Sequence, residues 1–224
     1  LAPPFFMTIT EYIERAGAFE AEPIINIAHT KFPHLQWARL THAALGLSTE
    51  AIELGAATNL DNQIEELGDI AWFAALACRT LSITPVPSML HHADEARGKH
   101  IIILCELFAS RVKAGLFYGW VTKDSDSSMD AWAQVPARIL LLCEQMSQLY
   151  CNGRLFEANI QKLTTRYEGT KFTEQKSLER APEVELNSIK EAVNIPQPVE
   201  EDPDVRAMRE FTANTRTGKI KLGD

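Results

Sequence analysis

Two long stretches of 3.6-residue apolar periodicity, Leu35 to Ala57 and Asp61 to Leu81, meet at the turn Asn59-Leu60-Asp61. So short a connection folds the second helix back along the first as an antiparallel hairpin. Further periodic stretches run from about 93 to 116, 128 to 150 and 155 to 167, and a shorter one lies between Thr8 or Thr10 and Ala21. Runs of β-branched alternation are scarce. The pattern predicts an all-α fold: a four-helix-bundle core of two antiparallel helix hairpins, flanked by further helices. Asp61 is the expected N-cap of the hairpin's second helix, and Pro136 is expected to kink the fifth stretch near its start. From Thr173 the composition changes, with Pro182, Pro196, Pro198, Pro203 and the acidic run Glu200-Glu201-Asp202. The chain therefore divides into an N-terminal segment with a short helix (1–34), a helical domain (35–172) and an extended C-terminal arm (173–224), with one short helix expected around 204–211.

Composition narrows the function classes. In 224 residues, 46% hydrophobic and 23% charged, there is room for a sizeable core, which excludes disordered and collagen-like chains. The longest apolar run, Ile70 to Cys78, is too short to span a bilayer, and no basic region precedes an apolar one near the start. The expectation is a cytoplasmic protein with no membrane partner. A formal charge of −8 repels nucleic acid, so no nucleic-acid partner is expected either. A small polyanion is a different matter, provided that metal cations bridge the like charges. Cys78, Cys105, Cys143 and Cys151 lack zinc-ligand spacing and read as buried free thiols.

The hairpin carries the informative residues: Glu50 and Glu53 before the turn, Glu66 and Asp69 after it. Each pair is spaced i, i+3, so its two carboxylates share one helical face. Glu53 and Glu66 lie at equal offsets from the centre of the turn, taken between Asn59 and Leu60, as do Glu50 and Asp69, so four carboxylates converge on one spot. Glu50 falls within the stripe Leu40, Ala43, Leu47 and Leu54, while Glu66 and Asp69 run into Phe73 and Leu76. Those are seam positions rather than a solvated face. Two unit charges 5 Å apart repel by roughly 3 kcal/mol at an effective dielectric near 20. Protons or cations must offset that repulsion. An all-oxygen set without histidine at i+3 suits hard divalent ions, Mg²⁺ or alternatively Mn²⁺, better than a di-iron centre.

The arrangement Glu-x-x-Glu, spacer, Glu-x-x-Asp resembles the MazG-like, all-α nucleoside triphosphate pyrophosphatase superfamily. The strings His42-Ala-Ala-Leu-Gly-Leu-Ser-Thr-Glu50 and Glu65-Glu-Leu-Gly-Asp69-Ile-Ala-Trp72 are similar to that family beyond the four acids. So is Asn159-Ile-Gln-Lys162-Leu-Thr-Thr-Arg166-Tyr167 with Lys171-Phe172. The resemblance spans roughly 35–180. It implies that Glu50, Glu53, Glu66 and Asp69 are catalytic metal ligands, and that Asn159, Lys162, Arg166, Tyr167 and Lys171 bind substrate. Asn159, Lys162 and Arg166 do share a helical face, and cations of that type suit a departing diphosphate. A degenerate second copy of the hairpin also emerges, with His42 aligning to His100 and Asp69 to Ala137. In that copy Phe108, Arg111, Gln134 and Ala137 replace the four acids, an arrangement that resembles the dimeric dUTPase branch. No aromatic residue is assigned to the base; Trp37, Phe117, Tyr118 and Trp120 are the possibilities.

The expected activity is metal-dependent hydrolysis of a nucleoside triphosphate, a deoxynucleotide by preference, to the monophosphate and pyrophosphate. One of the four carboxylates, or Glu65, accepts the proton of the attacking water. The resemblance further implies a homo-oligomer, a dimer or higher. The alternatives are a non-catalytic nucleotide-binding or regulatory protein on the same fold, and a helical scaffold whose acids are surface charges.

Overall fold

The structure, a computed structural model, describes residues 6–19, 35–90, 97–118, 132–167 and 182–193. Seven α-helices form among them: α1 (Ile9–Ala16), α2 (Leu35–Ala56), α3 (Leu60–Leu81), α4 (Arg97–Tyr118), α5 (Val135–Tyr150), α6 (Leu155–Arg166) and α7 (Pro182–Val193). The fold is all-α. Helices α2, α3, α5 and α4 pack in a closed ring, each against the next, and make the four-helix core; α1, α6 and α7 flank it on the α3 side.

Helix α3 is the hub. Its middle, Ile70-Ala71-Trp72-Phe73-Ala74-Ala75-Leu76-Ala77-Cys78, is apolar on every side, as a helix must be to pack against several neighbours at once. Ala71, Ala74, Ala75 and Ala77 are all buried, and their small side chains let α1, α2, α5 and α6 approach closely. The stripe Leu40, Ala43, Leu47 and Leu54 of α2 is buried against it. All four cysteines are free and buried, and burial pushes each thiol up. No helix among the described residues is long and apolar enough to cross a membrane.

Several boundaries differ from the sequence pattern for identifiable reasons. Asn59, not Asp61, caps α3: its side-chain oxygen accepts from the Asn62 N–H at 2.9 Å. Asp61 instead lies in the first turn, where its negative charge suits the helix dipole. Pro136 falls in the first turn of α5, where its missing N–H costs no intrahelical bond, so it starts the helix rather than kinking it. Pro182 does the same for α7, so the arm is not extended throughout. Two of α7's buried side chains are Ile189 and Val193, and the helix packs chiefly on α6. At the other end, Thr8 caps α1 in a reciprocal capping box with Glu11, and the helix gives way to a 3₁₀ turn, Gly17–Phe19. The helix expected at 204–211 lies outside the described residues.

Phe108 and Ala137, which stand in place of two acids in the second hairpin, are buried in the core. Arg111 and Gln134, in place of the other two, are half-buried. The second hairpin therefore spends two of those four positions on core packing.

Candidate metal centre

Hairpin α2–α3 presents its acids to one cleft. Glu50, Glu53, Glu65, Glu66 and Asp69 line it together with Trp72, Phe73, Leu163, Arg166 and Tyr167, around a space of about 600 Å³ that includes the open mouth. One carboxylate oxygen from each of Glu50, Glu53 and Glu66 lies within 4.8 Å of the other two. Glu50 and Glu66 are half-buried and Glu53 is exposed, so the trio grades from core to solvent. Glu66 and Glu50 share a hydrogen bond. Burial first, then the charge of Asp69, pushes the Glu50 carboxyl up to about 7 and that of Glu66 to about 9. The hydrogen-bonded pair therefore holds a proton well above the usual carboxylate range.

Asp69 lines the same cleft but stands apart from the trio, because α6 claims one of its oxygens. Asn159 Nδ2 donates to Asp69 Oδ1 at 3.0 Å, and Lys162 Nζ reaches the same atom at 2.5 Å. Lys162 is fully buried, with Glu65 3.7 Å away as a second anionic neighbour. An ammonium group sealed from water is stable only against such partners. Asn159 and Lys162 therefore sit behind a carboxylate rather than on a solvated stripe.

Arg166 lines the cleft and is gripped from the other side by α7. Its Nε donates to Glu185 Oε1 at 2.8 Å, and its Nη2 donates to Glu185 Oε2. Glu185 is 2% exposed, so this fork-to-carboxylate pair is largely withdrawn from water. Tyr167 caps α6 and is buried at the edge of the cleft. Lys171 lies outside the described residues.

Trp72 stands in the motif string and Phe73 in the seam, but the motif reading gave neither a role at the site. Trp72 and Phe73 follow Asp69 at i+3 and i+4, a spacing that places both rings on the carboxylate face and was available in the sequence. They meet at a centroid distance of 4.7 Å, and His42 packs edge-on against both. Trp37 is half-buried against the core, and the side chains of Phe117, Tyr118 and Trp120 lie outside the described residues. Glu185 had no signal at all, since it depends on α7 returning to α6.

The donor set fits a divalent cation. It is all oxygen, and three carboxylates approach to within 4.8 Å of one another. What the fold and the cleft define is a helical bundle with a carboxylate-rich cleft lined also by an arginine and three aromatic residues. No family model matches the chain, and no curated protein and no solved structure matches it either.

Proposed function

We propose that this chain is a metal-dependent nucleoside triphosphate pyrophosphohydrolase, converting a (d)NTP and water to the (d)NMP and pyrophosphate, with a deoxynucleotide as the preferred substrate. The observation that carries the reading is the convergence of Glu50, Glu53 and Glu66, with Asp69 in the same cleft. Five carboxylates and one guanidinium line this space, so a polyphosphate enters only with divalent cations.

Glu50, Glu53, Glu66 and Asp69 would hold Mg²⁺ or Mn²⁺. Bound there, a cation would supply a water of lowered pKa and offset charge at the attacked phosphorus. Arg166, held by Glu185, offers its remaining N–H groups to phosphate oxygens. Glu65 is a further carboxylate in the cleft, able to accept a proton from water. Trp72 and Phe73, their rings inclined at 68° to each other, give an apolar wall for the nucleoside. The protein acts as a homo-oligomer.

The test is pyrophosphate release from a panel of ribo- and deoxynucleoside triphosphates, with Mg²⁺, with Mn²⁺ and with chelator. Release from a narrow subset, abolished by chelator and by Glu53→Gln, is the expected result. Glu53 is exposed, so this variant keeps its stability and its helical circular dichroism. Full activity in Glu53→Gln overturns the assignment. Tight nucleotide binding without release would instead favour a regulatory binding protein, a reading motivated by the pairing of Lys162 and Arg166 with carboxylates.

A further inference from the structure

Asp69 is the end of a buried hydrogen-bond chain that begins on α1, outside the four-helix core. The Tyr12 hydroxyl donates to Asn159 Oδ1 at 2.8 Å and lies 3.3 Å from the Gly68 carbonyl oxygen. Asn159 passes the interaction on through Nδ2 to Asp69 Oδ1. Tyr12 is fully buried and Asn159 is 2% exposed, so water does not compete for these bonds.

We propose that Tyr12 is a positioning residue for the carboxylate centre: through Asn159 it fixes the orientation in which Asp69 faces a divalent cation. The inference rests on the metal reading of the cleft. A carboxamide has one accepting and one donating end. With the phenol O–H on Oδ1, the amide must turn its NH₂ toward Asp69; reversed, it would set a carbonyl oxygen against a carboxylate. Asn159 and Lys162 both end on Oδ1, so Oδ2 remains available to the cleft that Asp69 lines. Burial, then the charge of Asp69, pushes the phenol well above its usual range, so Tyr12 stays a donor at every working pH.

Gly68 makes the close approach possible. A Cβ at that position would lie 3.0 Å from Asn159 Nδ2 and 3.2 Å from Asn159 Cβ. The ring of Tyr12 is held separately, stacked on Phe156 with centroids 4.5 Å apart. Ring and hydroxyl therefore do distinct jobs, which makes them separable by mutation.

The experiment is Mn²⁺ titration of the full chain, followed by calorimetry and electron paramagnetic resonance, with thermal melting in parallel. Tyr12→Phe keeps the stacked ring and loses only the hydroxyl; Mn²⁺ affinity should fall about 10-fold, the lower end for a lost outer partner of a metal ligand. Asn159→Ala should weaken binding at least as much, and adding Tyr12→Phe to it should change nothing further, because the two act in one chain. Phe156→Leu loses the stacking but keeps the phenol, and should lower the melting temperature with Mn²⁺ affinity unchanged. Unaltered affinity in Tyr12→Phe, additive losses in the double variant, or loss of affinity in Phe156→Leu equal to that in Tyr12→Phe overturns the positioning role. A wild-type chain that binds no Mn²⁺ overturns the metal reading itself, and the inference falls with it before any variant is made.

Discussion

Glu66 is more costly to ionise folded than unfolded, and the consequence can be measured. Its carboxyl and that of Glu50 titrate higher in the folded chain than in the unfolded one. The folded state thus binds more protons above about pH 4.5, and its stability declines as pH rises through about 7 and 9. Without divalent ions the melting temperature should fall across that window; with Mg²⁺ or Mn²⁺ the fall should shrink, most at the alkaline end, where no proton competes with the cation. A metal-free melting temperature that is flat or rising from pH 5 to 9 would contradict the crowding of these acids. Asp69 behaves differently on replacement. Asp69→Asn leaves the buried Lys162 ammonium without its nearest counter-charge, a loss on the order of 3–5 kcal/mol, visible as a lowered denaturation midpoint. Any inactivity of Asp69→Asn therefore mixes chemistry with stability, whereas Glu53→Gln does not.

Among the elements, the α2–α3 hairpin was the most legible in the sequence. A three-residue connection and two i, i+3 acid pairs at mirrored offsets are local facts, and local facts place Glu50, Glu53 and Glu66 together. What they do not contain is the pull of other helices. Asp69 leaves the trio because α6 supplies Asn159 and Lys162, and nothing in the spacing of the pair encodes that. Helix α7 was misread for a similar reason: Pro182 looks like a breaker until its position at the first turn is known. Neither Tyr12 nor Glu185 sits in a motif, so both became visible only through tertiary contacts. The hairpin's own packing makes a sharper prediction at Gly46, whose added Cβ would lie 2.3 Å from the Phe73 ring. Ala is the better helix former by about 1 kcal/mol, but a ring pinned between His42 and Trp72 has little room to yield. Overpacking of about 1–3 kcal/mol should dominate, so Gly46→Ala should be destabilised in urea.

At the scale of the whole molecule, the cleft of the α2–α3 hairpin is backed by helices that all flank the core on the α3 side. Helix α1 acts on Asp69 through Tyr12 and Asn159, and α7 acts on Arg166 through Glu185. Helix α7 is tied down at three points: Glu185 to Arg166, Lys190 to Asp61 at 2.8 Å, and the Ala192 carbonyl oxygen to Arg154 Nη1 at 3.0 Å. Only the first is withdrawn from water at both ends; Lys190 is 44% exposed, and such a surface pair contributes about 0–1 kcal/mol. Glu185→Ala should therefore lower the melting temperature clearly and Lys190→Ala hardly at all. Both should leave Mn²⁺ affinity intact, since the carboxylate trio belongs to α2 and α3. The order of these elements along the chain also bears on how the protein is made. The hairpin that gathers the carboxylates is translated before the helix that grips Arg166, which is the last of the seven among the described residues. A growing chain thus completes its carboxylate cluster before it can fix the guanidinium beside it, and synthesis itself separates the two halves of the cleft in time.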